Sequence, residues 1–295
     1  GVMNKTVIDR TPPRYVEKLT VVGDLMAEAG TPKGSEQQEQ QPADLQSVED
    51  LQSAEELIGI LPGSKPSKLA QGVPLGLAIA DCLHAARPQT RFVIPVAPTL
   101  DLATLAKFAD PAQNPIAPRF GEISAELITD QGDPFFKTRR GVRVDLWTGH
   151  PAYDVLTQCR LCFTTVGANT AELGSLAIPM IVMIPTQQLD AMRSWDGIPG
   201  LLVNLPGVGT IIANVINGWF LSRPRLLAWP NIWAGEMIVP QLVGELQPQK
   251  VAELAIEFLD HPDRLAAMQK QLRQVRGEPG AAEKFAQLVQ VTAFQ

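Results

Sequence analysis

The sequence predicts an α/β protein on a doubly wound, Rossmann-like parallel sheet with a helical C-terminus. Three observations carry this. From Leu57 onward, apolar runs of strand length alternate with stretches of helical period, the pattern of successive βαβ units. Two of those runs break into small-residue turns just ahead of a helix, as ligand-binding turns in such sheets do. Beyond residue 250 the chain carries only long amphipathic periods.

The elements follow in order. Leu19-Thr20-Val21-Val22-Gly23 is expected to be a strand ending in a turn within an extended segment, 1–30. Residues 31–56 are rich in Gln and Glu and poor in bulky apolar side chains, which predicts a solvated linker. A buried strand is expected at 57–61, a helix at 69–87 stopped by Pro88, a strand at 91–97 and a helix near 99–108. Residues 110–140 hold many prolines and polar side chains and give no clear period. Strands at 142–147, 161–166 and 180–184 then alternate with helices at 152–158 and 169–176. Val251, Leu254, Ala255, Phe258 and Leu259 mark the apolar face of one late helix. Leu265, Met268, Leu272 and Val275 mark a second, and a third is expected at 281–292. The domain division is therefore 1–30, 31–56 and 57–295.

Composition narrows the function classes. The chain has 295 residues, 45% hydrophobic and 19% charged, enough for a large core without metal or disulfide staples. Its net charge of -6 supplies no general cationic field for nucleic acid. Seven acids and no Lys or Arg lie in 34–56; outside that stretch 24 acidic residues face 25 basic ones, so the folded bulk can accept an anionic ligand. Three cysteines cannot all pair, and no signal-peptide pattern opens the sequence, so a cytoplasmic location is expected. Cys159 and Cys162 form a CxxC that enters a buried strand, so structural thiols are expected rather than a redox pair. Gly207-Val208-Gly209 lacks the third glycine and the following acid of a dinucleotide fingerprint. The uncharged run 197–222, followed by Arg223 and Arg225, is broken by prolines, asparagines and glycines; it suits a buried segment or one resting on a membrane surface.

Two strand ends carry residues suited to a ligand. In Leu61-Pro62-Gly63-Ser64-Lys65, small residues let backbone N–H groups approach a phosphate, with Lys65 to neutralise it; an ordinary turn with a surface lysine is the competing reading. In Thr164-Thr165-Val166-Gly167-Ala168-Asn169-Thr170-Ala171-Glu172, Gly167 permits a tight turn. Asn169 and Thr170 suit a helix start whose N–H groups attract anions. Glu172 either caps that helix or accepts hydrogen bonds from ribose hydroxyls. His150 follows a strand end near the same rim.

These turns, with Ile178-Pro179-Met180-Ile181-Val182, resemble the nucleotide-sugar half of GT-B glycosyltransferases, and most of all the lipid-A-disaccharide synthase family. Pro230-Asn231-Ile232-Trp233-Ala234-Gly235-Glu236-Met237-Ile238-Val239-Pro240-Gln241-Leu242 is similar to that family's Pro-Asn-Leu-Leu-Ala-Gly block, one residue shorter before the Glu. Val21-Val22-Gly23-Asp24-Leu25-Met26 looks like its interdomain linker, and Lys65 stands where the family carries Arg. The resemblance implies a GT-B C-terminal-type domain that binds a UDP-GlcNAc-like donor. It implies hexosamine transfer to a lipid-linked acceptor, with no metal and no cofactor. It assigns the departing diphosphate to Gly63, Ser64, Lys65, Gly167, Ala168, Asn169 and Thr170, and the ribose to Glu172. Asn231, Glu236, Gln187 and Gln188 are expected to line the donor pocket. The catalytic base would lie in an acceptor domain ahead of the linker motif, which residues 1–20 are too few to form; the chain is therefore expected to be a donor-binding half. The implied partners are the nucleotide-sugar, a lipid acceptor at the membrane surface, and an upstream domain or partner supplying the acceptor half. A non-catalytic nucleotide-sugar-binding or scaffold module is the alternative from another class, with a sugar-nucleotide epimerase third.

Overall fold

The computed structural model describes residues 1–9, 11–27, 56–130, 132–186 and 226–293. Its centre is one sheet of eight strands, β1 (Leu57–Leu61), β2 (Arg91–Pro95), β3 (Ala125–Ile128), β4 (Phe135–Thr138), β5 (Arg143–Trp147), β6 (Leu161–Thr165), β7 (Met180–Pro185) and β8 (Gln241–Gly244), ordered β3-β4-β5-β2-β1-β6-β7-β8. Seven strands run in one direction, and β4 alone runs against them, paired antiparallel with β3 at the edge and with β5 on its inner side. The doubly wound, largely parallel sheet is present as expected, with β4 as its exception. β3 and β4 have only four residues each, too short to declare a period of two among prolines and charges.

The helices are α1 (Lys5–Asp9), α2 (Pro13–Val16), α3 (Pro66–Ala86), α4 (Leu102–Ala109), α5 (Tyr153–Leu156), α6 (Ala168–Ser175), α7 (Trp229–Ala234), α8 (Pro248–Leu259), α9 (Pro262–Val275) and α10 (Ala281–Ala293). From β1 the chain winds outward to β2 and β5, then jumps back across to β6 on the other side of β1, and continues to β7 and β8. The direction of winding therefore reverses between β1 and β6, the crevice where doubly wound sheets take ligands.

α3 is the one described helix long and apolar enough to span a bilayer, but it is mostly buried and serves as the core helix. It lies flush on β1 because it carries glycines where a side chain would collide. A Cβ on Gly72 would sit 2.8 Å from the Pro62 carbonyl oxygen, and one on Gly76 2.5 Å from Ile60 Cγ2. α8 packs beside α3, while α6, α7 and α9 pack on one another. Phe92, Phe136, Phe163, Ile58 and Ile60 are among the fully enclosed side chains between these layers. The structural reading of the cysteines is matched: Cys159 and Cys162 are buried free thiols packed against Gly59, and burial pushes the Cys162 thiol well up.

Two expectations change. The segment at 19–23 forms only a single bridge, Val2 with Val21, and the following residue ties it to the rest of the fold: the Asp24 N–H donates to the Glu278 carbonyl near the C-terminal end at 2.9 Å, and Ser175 Oγ at the end of α6 donates to Asp24 Oδ2 at 2.5 Å. Glu56, assigned to the solvated linker, is buried at the entry to β1 and paired with Arg87. The rest of the acidic stretch and the 197–222 run lie outside the described residues, as do Gln187 and Gln188.

Candidate functional site

The β1 and β6 bends lie side by side. β1 and β6 are hydrogen-bonded neighbours with Leu61 opposite Thr164, so both turns emerge at the carboxyl ends of adjacent central strands. Gly63 has φ +96 and Gly167 φ +142, conformations that glycine alone adopts without strain. A Cβ on Gly63 would stand 3.3 Å from Thr165 Oγ1, so the bends are in contact. Each bend opens directly into a helix: Lys65 is the N-cap of α3 and Gly167 that of α6, and neither helix start is closed by a side-chain hydrogen bond. Among the described residues no carbonyl accepts from the N–H of Ala168 or Asn169. Two helix N-termini and their open N–H groups thus converge at the winding reversal, which favours negative charge.

Ser64 and Lys65 are exposed at this rim. The cation between the bends is Lys68, one turn into α3, which the sequence reading did not single out. Its alkyl chain lies 3.0–3.1 Å from the position a Gly63 Cβ would take, and its ammonium 2.7 Å from that of Gly167. Lys68 Nζ donates to the Val166 carbonyl at 2.5 Å. The clue available in the sequence is the spacing: three residues past Lys65 returns to the same side of a new helix.

Glu172 stands on α6, half-buried. Burial pushes its carboxyl above the ordinary range, and its charge in turn raises the nearby Tyr153 phenol, itself chiefly lifted by burial. Among the described residues no side chain or N–H hydrogen-bonds this carboxylate. It is a partly desolvated acceptor held one turn below the bend.

The remaining assignments do not converge. The Thr170 side chain is buried: its Oγ1 donates to the Gly167 carbonyl at 2.8 Å and accepts from Trp229 N–H at 3.3 Å, so it braces the bend and does not face a ligand. Asn231 is wholly buried, its Nδ2 donating to Val239 O and its Oδ1 accepting from the Ile238 and Val239 N–H groups. Its side chain is thus committed to folding the turn after α7, a correction to its place in the donor pocket. Glu236 is exposed in that turn, at the amino end of β8, whereas the bends stand at carboxyl ends. His150 is exposed. Among the described residues no three His, Cys, Asp or Glu side chains gather as metal ligands would.

No protein-family model matches the chain. Among curated proteins it is similar to lipid-A-disaccharide synthases. It is 28% identical over 243 residues to that of Anaeromyxobacter sp. (strain K), covering 81% of this chain and 50% of the relative. To that of Anaeromyxobacter dehalogenans (strain 2CP-C) it is 27% identical over 252 residues, covering 84% and 52%. To that of Nitrosococcus oceani it is 22% identical over 225 residues, covering 76% and 44%. The chain therefore spans about half the length of the curated relatives it matches. The solved structure of TarM overlaps 80% of this chain and 35% of its own at 10% identity and a TM-score of 0.40, too slight a likeness to bear on fold or function.

Proposed function

We propose that the chain binds a UDP-GlcNAc-like nucleotide-sugar at the junction of β1 and β6 and serves as the donor-binding part of a glycosyltransferase that moves a hexosamine to a lipid-linked acceptor. The observation that carries the reading is the contact of the two glycine bends, with helix N-termini on both sides and Lys68 between them. Oriented N–H dipoles and fixed cations are what a departing diphosphate needs, because they stabilise charge as it develops without reorganising. The Ala168 and Asn169 N–H groups would take diphosphate oxygens. Lys68 and Lys65 would offset the charge, and the Glu172 carboxylate would accept from ribose hydroxyls. The similarity to lipid-A-disaccharide synthases supports a glycosyltransferase role, and a lipid acceptor would bring the protein to the membrane surface.

Calorimetric titration with UDP and UDP-GlcNAc tests the reading. Saturable binding of both, with UDP sufficient for most of the affinity, is the expected result. No heat of binding at millimolar ligand in folded protein would sink it. A turnover assay with a lipid-linked hexosamine acceptor then separates an enzyme from a binding module: binding without transfer or donor hydrolysis favours the module.

A further inference from the structure

A cavity lies on the sheet face opposite α3, away from the bends. Ile58, Ile60 and Pro62 face α3, so by alternation Arg91 and Val93 of β2 and Arg143, Asp145 and Trp147 of β5 face the other way. A parallel sheet is usually covered there by a crossover helix. Here the connection from β5 to β6 holds only the single turn of α5, and the strip that the described residues leave uncovered is a cavity of about 860 Å³, bordered on its far side by Leu265, Ala266 and Gln269 of α9. That volume suits a small organic ligand, for which sites run about 300–1,000 Å³.

The wall is polar in an unusual way. Asp145 takes Arg143 at 2.6 Å and Arg91 at 3.4 Å, so those charges are paired. Arg160 is paired only at longer range and makes no side-chain hydrogen bond among the described residues. Its side chain is only 10% exposed, its Nε is buried without an acceptor, and its nearest carboxylate, Glu56, stands 3.8 Å away. Both Glu56 oxygens are already taken, by Arg87 and Thr90. A nearly enclosed guanidinium with no hydrogen bond among the described residues is costly unless something supplies oxygen atoms. Because the Arg160 N–H donates to Leu57 O at the amino end of β1, its side chain marks one end of the cavity. Trp147, 39% exposed at the carboxyl end of β5, marks the other. Three strand spacings, about 14 Å, separate β6 from β5. Buried Val93 and Val155 line the space between.

We propose that this cavity is a second ligand site that takes an amphiphilic anion: a carboxylate or phosphate head bound by the Arg160 guanidinium and an apolar body laid over Val93 and Val155 toward Trp147. Arginine suits the head because its planar fork matches both oxyanions. The site is independent of the nucleotide-sugar reading, since it lies on another face of the sheet and its Arg160 end stands at the amino end of β6, away from the bends.

The test titrates the protein with 1-naphthyl phosphate and 1-naphthoate, with 1-naphthol and inorganic phosphate as controls. Both naphthyl anions should bind saturably at one site, and neither control should match them. Saturating UDP should leave that binding unchanged. Arg160→Gln should weaken it about tenfold or more, the loss of a charge-assisted bond. Ala266→Phe, which projects a ring into the cavity from a half-exposed position on α9 and leaves Arg160 in place, should abolish it; thermal melts establish that each variant is folded. Displacement by UDP, equal binding of inorganic phosphate, undiminished binding in folded Ala266→Phe, or no saturable binding in the wild type would each overturn the proposal.

Discussion

Lys68 Nζ donates to the Val166 carbonyl at 2.5 Å, joining the first turn of α3 to the bend that opens α6 across 98 residues of sequence. The same ammonium lies against Gly167, so one side chain holds both halves of the bend pair and charges the space between them. Lys68→Met should therefore weaken UDP binding by about 1.5–3 kcal/mol, a charge-assisted contact, and make it less sensitive to salt. Lys65→Met, at an exposed position, should cost less than about 1 kcal/mol. Calorimetry at two ionic strengths separates them; equal losses would remove Lys68 from its special place.

Glu172 gives the site a pH dependence with a definite sign. Its carboxyl is raised by burial in the free protein, and hydrogen bonds from ribose hydroxyls favour the ionised form. UDP affinity should thus fall as pH drops from neutral through that raised pKa, and Glu172→Gln should flatten the fall while weakening binding at neutral pH. For stability the sign reverses. A folded pKa above the unfolded one means the folded state binds the proton more tightly, so rising pH through that interval lowers stability. Glu172→Gln should accordingly melt higher than wild type at neutral pH without ligand. A lower melting temperature would show that the carboxylate has a structural partner instead.

How much of this is legible in the sequence depends on what each residue needs from the rest of the chain. Gly63 and Gly167 could be read because each ends an apolar run and precedes a helix, a purely local pattern. That the two bends stand side by side depends on the strand order, which alternation of strands and helices leaves open and the sheet itself fixes. Lys68 was not legible, because its importance comes from a contact with a bend 98 residues away. Asn231 was legible as a special residue and misread in role: sequence marks the turn after α7, yet only the coordinates show its amide facing inward. Glu56 looked like the last acid of a solvated run because its partners, Arg87, Thr90 and Arg160, all lie beyond it in the chain.

Asn231 supplies a prediction from that correction. Its amide satisfies one buried carbonyl and two buried N–H groups in the turn that enters β8. Asn231→Ala leaves all three without a partner, and should destabilise the fold by about 3–5 kcal/mol in denaturant titration. The protein that remains folded should bind UDP with wild-type affinity. Weakened binding in folded Asn231→Ala, with little loss of stability, would restore the ligand role.

Glu56 sets the acid limit of the fold. Burial pushes its carboxyl up, but the Arg87 and Thr90 hydrogen bonds and the charges of Arg87 and Arg160 more than offset this and hold it below the ordinary range. Arg87 grips it at 3.0 and 2.6 Å and extends to Asp260 at 2.5 Å, so the cluster ties the entry of β1 to the ends of α3 and α8. A carboxyl with a depressed folded pKa stabilises above its unfolded value and loses that contribution as pH falls through the folded one. Glu56→Gln should cost about 3 kcal/mol at neutral pH, because it strands two arginines, one of them Arg160 with hardly any access to water. The deficit should shrink as pH falls and the wild-type carboxyl takes up its proton, so the two unfolding curves converge in acid. A deficit that stayed constant with pH would mean that shape, not charge, holds this corner together.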